Sequence, residues 1–186
     1  FTSVSFSGQA TGKAYVTQVF EEPDAWADLR VEHFEFEGGR MGVLDAQAQW
    51  NKTEKHIDIH AIADDGPEAK TLIDGYVSPT KNYIDLSIRG RGTYIDFLNT
   101  YASSFLNGVT GHATGDLNLV GPLSAMDLLG TLVVDGQATV TSLGTTYRLQ
   151  QDTVVFVHDD ILLKNTPAKD RYQNTAILNG GIHHEN

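Results

Sequence analysis

The stretch His56-Ile-Asp-Ile-His-Ala-Ile-Ala-Asp64 decides the fold. Its odd-numbered residues from Ile57 to Ala63 are apolar, and its even-numbered residues are polar apart from Ile62. Side chains that alternate with a period of two point to opposite faces of a β-strand. One face of such a strand meets apolar groups while the other meets water. The stretch therefore predicts a strand of an antiparallel sheet with one apolar face.

The same alternation recurs along the chain, for example through Ile84, Leu86 and Ile88 and again through Leu117 and Leu119. Such a repeated period of two, interrupted by turn residues, is typical of an all-β protein. We predict strands near residues 3–19, 29–37, 42–50, 55–64, 69–78, 82–89, 113–121, 127–134, 137–149, 152–157, 160–164 and 174–182.

Turn signals separate several of these segments, including Asp64-Asp65-Gly66-Pro67 and Asp135-Gly136. The phase of the alternation also slips between Val31 and Phe34. A slip inside one strand predicts a β-bulge or a sharp bend at that point.

One segment departs from the period of two. Apolar residues recur at three- and four-residue steps between Ile95 and Phe105, which predicts a short amphipathic helix over about 94–106. Such a helix spans roughly 20 Å and can lie across the end of a sheet. Two roles are open for the apolar residues of this helix: they plug or cap a groove in the sheet, or they pack elsewhere. These residues are Ile95, Leu98, Tyr101 and Phe105. The helix marks the natural division of the chain, between a repetitive strand segment (1–92) and a second unit (93–186).

Glycines follow the predicted helix in a series that starts at Gly108 and runs through Gly111, Gly115 and Gly121 to Gly130. Phosphate-binding loops run from a strand into a helix, whereas this series leaves a helix and enters strands. Glycines inside strands mark bulges, bends or close approaches of the backbone. The series therefore favours a strongly curved sheet.

Composition excludes several classes of function. The formal net charge is −11, and both halves of the chain are acidic. Nucleic-acid binding needs clustered cations that displace phosphate counterions, and no such cluster occurs. There is no cysteine, which removes thiolate nucleophiles and cysteine-based metal sites. The chain opens directly with residues typical of a strand, so we expect it to be a segment of a larger bacterial envelope protein.

Few residues of the sequence are candidates for a catalytic or metal-binding site. His56, Asp58 and His60 share one strand face, but residues two apart on a strand are about 7 Å apart, so one metal ion cannot reach all three. The alternative interpretation is that these three residues form a solvated polar face of the strand. The chain end His183-His-Glu185 is a terminus, and termini are usually mobile. We therefore expect no catalytic residue, no metal site, no cofactor and no enzymatic activity.

The order of features from Ile95 onward resembles a known family. The helix leads into Gly108-Val-Thr-Gly111-His-Ala-Thr-Gly115, then Leu128-Leu-Gly130-Thr-Leu132, and finally Asn179-Gly180-Gly-Ile-His183. This series is similar to the C-terminal domain of the TamB translocation and assembly module family, in the version found in Bacteroides-like bacteria. The similarity covers residues 93–186. Residues 1–92 share with the family only the presence of further alternating strands. Gln173 departs from the pattern, where the family would have glycine.

The resemblance implies a strongly curved, elongated β-sheet, a half-pipe or β-taco with an apolar concave face. It implies a protein of the AsmA-like group that is anchored in the inner membrane and extends through the periplasm. It further implies phospholipid transport towards the outer membrane of Gram-negative bacteria, and work with a barrel-type outer-membrane partner in inserting membrane proteins. The phospholipid acyl chains would lie in the groove.

The residues predicted to line such a groove are apolar members of the alternating strands. They are Ile57, Ile59, Ile73, Val77, Ile84, Leu86, Ile88, Leu117, Leu119, Leu128, Leu132, Val134, Val140, Phe156, Leu163 and Leu178. The same side chains can instead fill a closed β core. Three functions remain open: a lipid conduit, a docking module for outer-membrane protein insertion that pairs through exposed strand edges, and an enzyme on a β scaffold, for which no carboxylate cluster is found.

Overall fold

The computed structural model describes residues 5–17, 24–101, 103, 106–158 and 160–183. These residues form eleven strands and one short helix. The elements are β1 (Phe6–Thr17), β2 (Asp24–Phe36), β3 (Gly39–Asn51), β4 (His56–Asp64), β5 (Lys70–Ser78), β6 (Tyr83–Tyr94), α1 (Leu98–Tyr101), β7 (Leu106–Pro122), β8 (Asp127–Val140), β9 (Thr145–Val157), β10 (Asp160–Asp170) and β11 (Thr175–His183).

All eleven strands belong to one antiparallel meander in which each strand pairs with its neighbours in the sequence. The sheet is curled but not closed, so β1 and β11 form its two edges. The prediction of an all-β, strongly curved sheet with one short helix is confirmed. Within the described residues, no helix has the length and hydrophobicity that crossing a bilayer requires.

Several predicted boundaries are wrong. The strand predicted over 137–149 is divided by the turn at 141–144, and the strand predicted over 152–157 is the end of β9. The strands β6, β7 and β10 are longer than predicted.

The helix predicted over 94–106 is limited to Leu98–Tyr101, because β6 continues to Tyr94 and β7 already begins at Leu106. The turn predicted at Asp135-Gly136 is instead part of β8, because Gly136 pairs with β7 on one side and with β9 on the other. Pairing on both sides holds a strand extended through a sequence that would otherwise turn.

The predicted irregularity in β2 is confirmed. The register of β2 against β3 shifts between Val31 and Phe34, and His33 adopts a left-handed φ of 52°. A bulge of this kind inserts an extra residue and bends the strand. As a result, Val31 and Phe34 lie on the same face although they are three residues apart.

The segment Ile95–Tyr101, here called the strap, shows how strongly the sheet curls. A side chain at Gly39 in β3 would overlap the Phe97 backbone, and Ile95 Cδ1 lies 3.3 Å from the Cβ position of Gly136 in β8. In a flat sheet β3 and β8 would be five strand spacings apart, roughly 24 Å. The backbone from Ile95 to Phe97 covers at most about 7 Å. The sheet must therefore curl around the strap.

Curvature crowds the side chains on the inner face, and glycine relieves that crowding. Gly115 pairs with Leu132, and Gly130 pairs with Leu117, so each glycine faces a leucine across β7 and β8. Both glycines have φ values that L side chains rarely adopt, 156° and 135°, and a Cβ on either would overlap a backbone carbonyl oxygen. The predicted role of the glycine series in curvature agrees with these contacts.

The sheet is continuous across the predicted division between residues 92 and 93, because both residues lie in β6, which pairs with β5 and β7. The division into a repetitive segment and a second unit stays a prediction.

Candidate functional site

The strand register aligns the apolar residues in rows across the inner face, here called rungs. Residues paired directly in an antiparallel sheet lie on the same face. Rung 1 contains Trp50, Ile57, Val77, Ile84 and Gly121. Rung 2 contains Ala48, Ile59, Gly75, Leu86, Leu119 and Leu128. Rung 3 contains Ala46, Ala61, Ile73, Ile88, Leu117, Gly130, Phe156 and Ile161. Rung 4 contains Leu44, Ala63, Thr71, Gly90, Gly115, Leu132, Val154 and Leu163.

The four rungs form an apolar trough. They carry no charged side chain, and their polar groups are the Trp50 indole N–H and the Thr71 hydroxyl, which shares a 2.7 Å hydrogen bond with the Thr93 hydroxyl. Successive rungs are two residues apart along each strand, about 6.6 Å, so the trough is about 20 Å long from rung 1 to rung 4. A surface of this kind can hold hydrocarbon, because a hydrocarbon chain lying on it leaves no charged group of the protein without a partner.

The trough is open rather than sealed. Among the sixteen residues predicted to line a groove, only Ile84, Val134 and Phe156 are buried, at 7%, 8% and 8% exposure, and the others are half-buried. The accessible surface of the chain is 11401 Å². A compact monomer of 20.3 kDa exposes about 8,800 Å², so this chain exposes about 30% more. On the rungs, Ala61, Ala63 and Thr71 are also buried, at 5%, 2% and 5%, so the inner face is mostly, but not wholly, half-buried.

The strap closes one end of the trough. Ile95 is buried with Val109, Ala113 and Val134, at 4%, 4%, 4% and 8% exposure. Leu98 packs against the same cluster. Ile95 and Leu98 pack in this apolar cluster, whereas the side chain of Tyr101 and all of Phe105 lie outside the described residues. That these helix residues plug or cap a groove stays a prediction.

Hydrogen bonds tie the strap to both walls of the trough. The Asn99 side-chain amide donates to the Val109 carbonyl at 2.8 Å, and its carbonyl oxygen accepts from the Val109 amide at 2.8 Å. On the opposite wall, the Thr100 hydroxyl donates to the Glu37 carbonyl at 2.9 Å. The strap is thereby fixed across the trough rather than resting on one side of it.

The opposite end of the trough, here called the mouth, is rimmed by the turns at 52–55, 79–82 and 123–126. The Thr80 hydroxyl donates to the Lys55 carbonyl at 3.3 Å, and the Leu123 amide donates to the Asn82 carbonyl at 3.1 Å. These bonds join the three turns side by side. Trp50 lies on rung 1 next to this rim, and its buried indole N–H has no hydrogen-bond partner among the described residues.

The convex face carries the charge that the trough lacks. Hydrogen bonds from Arg30 to Glu32 and Asp45, at 2.8 and 2.9 Å, raise the pKa of the Arg30 guanidinium above its ordinary value. The His60 ring lies 2.5 Å from Asp74 Oδ1, and this hydrogen bond lowers the pKa of the Asp74 carboxyl. These groups keep the outer surface hydrated while the inner surface stays apolar.

The histidines of the first stretch do not converge on one point. His56 Nε2 lies 2.8 Å from Asp58 Oδ1, whereas His60 bonds across to Asp74 on β5. In the part of the chain that the structure describes, no group of three or more His, Asp or Glu side chains is placed to hold a metal ion. The side chain of His183, together with His184 and Glu185, lies outside the described residues.

Most of the predicted lining residues fall on the four rungs, with three exceptions. Val134 belongs to the buried cluster beneath the strap. Val140 lies beyond the strap, where it pairs with Leu106 and Thr145. Leu178 lies on β11 opposite Thr166. The sequence reasoning missed the alanines of β3, for which the alternation of Leu44, Ala46, Ala48 and Trp50 was a usable signal.

Comparison of the chain with protein-family models, with curated proteins and with solved structures finds no match to any of them.

Proposed function

We propose that the trough binds phospholipid acyl chains and serves phospholipid transport between the membranes of a bacterial envelope, and with it the biogenesis of the outer membrane. One observation carries the proposal: a continuous inner face of uncharged rungs is mostly half-buried rather than buried. A folded chain gains by covering such a face, and a hydrocarbon ligand covers it without needing any catalytic group.

The energetics of lipid transfer fit this role. Each CH₂ group removed from water contributes about 0.8 kcal/mol, so a sixteen-carbon chain exposed to water costs on the order of 10 kcal/mol. A trough about 20 Å long shelters most of such a chain, since one leaflet of a bilayer core is about 15 Å thick. The charged convex face keeps the loaded protein soluble in an aqueous compartment.

The place of the chain in the cell follows from the resemblance in the sequence. The glycine and strand series of residues 93–186 supports a periplasmic segment of a larger protein that is anchored in the inner membrane. It also supports a barrel-type outer-membrane assembly protein as the partner, and it gives no reason to expect an enzyme or a bound cofactor.

A matched pair of variants tests the proposal. Leu119 lies on rung 2, and its neighbour Asn118 lies on the convex face opposite Ser87. Leu119→Asp places a carboxylate in the apolar trough, and Asn118→Asp places the same carboxylate in water. We expect Leu119→Asp to weaken binding of a fluorescent acyl phospholipid at least about tenfold, because an unpaired charge in an apolar site costs several kcal/mol.

We expect Asn118→Asp to bind the fluorescent lipid like the wild-type chain. Circular dichroism must show that both variants keep their sheet. If both bind lipid as the wild-type chain does, or if the wild-type chain binds none, acyl binding in the trough is wrong.

A docking module for outer-membrane protein insertion is the second candidate. The sheet is not closed, so the outer edges of β1 and β11 carry backbone groups that an added strand can pair with. This function predicts that a partner strand still binds after Leu119→Asp. Retained partner binding together with loss of envelope function in cells would favour lipid transport, and retention of both would favour docking.

A further inference from the structure

Two cations stand at the mouth of the trough. Lys55 ends the turn before β4, Lys81 lies in the turn before β6, and both side chains are exposed. The Ser78 and Thr80 hydroxyls both donate to the Lys55 carbonyl, at 3.4 and 3.3 Å, so the two turns are held in contact. The two turns that carry these lysines are therefore joined, in a chain whose formal net charge is −11.

Of the other charged groups at the mouth, Lys52 and Asp127 are paired, whereas Glu54 is in no ion pair of the described residues. Lys52 Nζ lies 3.6 Å from Asp24 Oδ2. On the far side of the mouth, the His158 ring lies 2.7 Å from Asp127 Oδ1. Glu54 shares the turn with Lys55, but no ion pair of the described residues joins them.

No ion pair of the described residues involves Lys81 either. Lys55 and Lys81 thus remain for an anion from outside the chain.

The two ends of the trough are different chemically. The strap end holds Ile95 and Leu98, which pack in an apolar cluster. The mouth has exposed lysines in turns that adjoin the rung 1 ends of the strands, where Trp50 pairs with Ile57. An indole at the boundary between an apolar and a polar layer occupies the position that tryptophan takes at membrane interfaces. A ligand with one apolar and one anionic end therefore fits in a single direction.

We infer that the trough takes a phospholipid tail-first, with the acyl chain running from rung 1 towards the strap and the headgroup phosphate held by Lys55 and Lys81. This inference rests on the proposed function, since it assigns the orientation and headgroup chemistry of the same ligand. The phosphate belongs to the lipid rather than to free phosphate, because the lysines adjoin the apolar rungs.

The test compares two double variants that remove the same charge. Lys55→Gln with Lys81→Gln alters the mouth, and Lys164→Gln with Lys169→Gln alters exposed positions on β10. Each is titrated with monomeric phosphatidylglycerol, with a diacylglycerol of the same chains and with inorganic phosphate. Binding is followed by tryptophan fluorescence, to which Trp50 contributes.

We expect the mouth variant to bind phosphatidylglycerol about tenfold more weakly, the size expected for loss of charge-assisted contacts to phosphate. Its binding of diacylglycerol should stay unchanged, and the β10 variant should bind both lipids like the wild-type chain. Failure of the wild-type chain to bind either lipid overturns the proposed function itself.

Two other outcomes overturn the inference alone, and a third overturns the proposed acyl binding as well. The inference fails if the mouth variant binds phosphatidylglycerol as tightly as the wild-type chain, or if the β10 variant loses as much affinity. It also fails if inorganic phosphate alone binds as tightly as the phospholipid with the same dependence on the mouth lysines, since the acyl chain would then contribute nothing.

Discussion

Truncation of a trough side chain should cost much less stability than truncation of a buried side chain in the strap. Leu119 lies on rung 2 and is half-buried, whereas Ile95 in the strap is 4% exposed. Leu119→Ala and Ile95→Ala each remove about three methylene equivalents, worth about 2.4 kcal/mol when fully buried. The difference between them therefore comes from the surroundings of each side chain.

The surroundings of Ile95 are closed and those of Leu119 are open. Ile95→Ala leaves a cavity among Val109, Ala113 and Val134, so its expected cost is about 3–5 kcal/mol. Leu119→Ala leaves no enclosed cavity, and its side chain is already partly exposed. Its expected cost is about 1–2 kcal/mol.

Urea unfolding followed by the fluorescence of Trp26 and Trp50 measures both costs. With a slope of about 2 kcal/mol per molar urea, the two variants should differ in midpoint by about 1 M. Wild-type protein stripped of lipid serves as the reference, because bound ligand would raise the stability of every variant. If Leu119→Ala costs as much as Ile95→Ala, the inner face is a filled core and the open trough is refuted.

Two further predictions concern the sheet itself. Gly115→Ala should lower the free energy of unfolding by about 2–4 kcal/mol, because its φ is 156° and an added Cβ would overlap the Thr131 carbonyl oxygen. Gly144→Ala should cost only about 1 kcal/mol, because at φ 59° an added Cβ meets nothing within 4 Å. Thermal melts of the two variants measure both costs. The hydrogen bond from His60 holds the pKa of Asp74 below the ordinary 3.8, so Asp74 stabilises the fold above that pH and this contribution is lost as pH falls through the lower folded pKa. Asp74→Asn should therefore flatten the loss of melting temperature below pH 4, and an unchanged acid limb would contradict this.

The sequence predicted the sheet well because the period of two is imposed on each strand by its own two faces. Ile57 and Ile59 alternate with polar residues whatever the partner strand is, so the strand and its apolar face could be predicted locally. The slip between Val31 and Phe34 was visible for the same reason, since a bulge moves the phase of the pattern.

The boundaries that failed depend on partners that are distant in the sequence. Gly136 reads as a turn residue, but it pairs with Gly111 and Leu149, and these contacts keep β8 extended. The helix was predicted too long because Ile95 and Leu98 have helical spacing. Their spacing instead serves contacts across the curled sheet, and no local pattern distinguishes the two cases.

The site was predictable in part. Sequence alternation placed Leu119 and Ile59 on one face, but it did not decide whether that face is open or filled. Openness depends on the curl of the sheet and on the absence of a second layer over the described strands, which are properties of the whole sheet. The lysines of the mouth carried no signal in the sequence, because Lys55 and Lys81 become neighbours only when two turns are brought side by side.

Site-specific photocrosslinking tests the central claim most directly. A photoreactive residue at Ile59, on rung 2, is compared with one at its neighbour Asp58, on the convex face, after expression in a Gram-negative host and irradiation in cells. The account predicts that mass spectrometry finds phospholipid attached at Ile59 and not at Asp58. Phospholipid at neither position, or equally at both, would contradict an apolar lipid trough on the inner face.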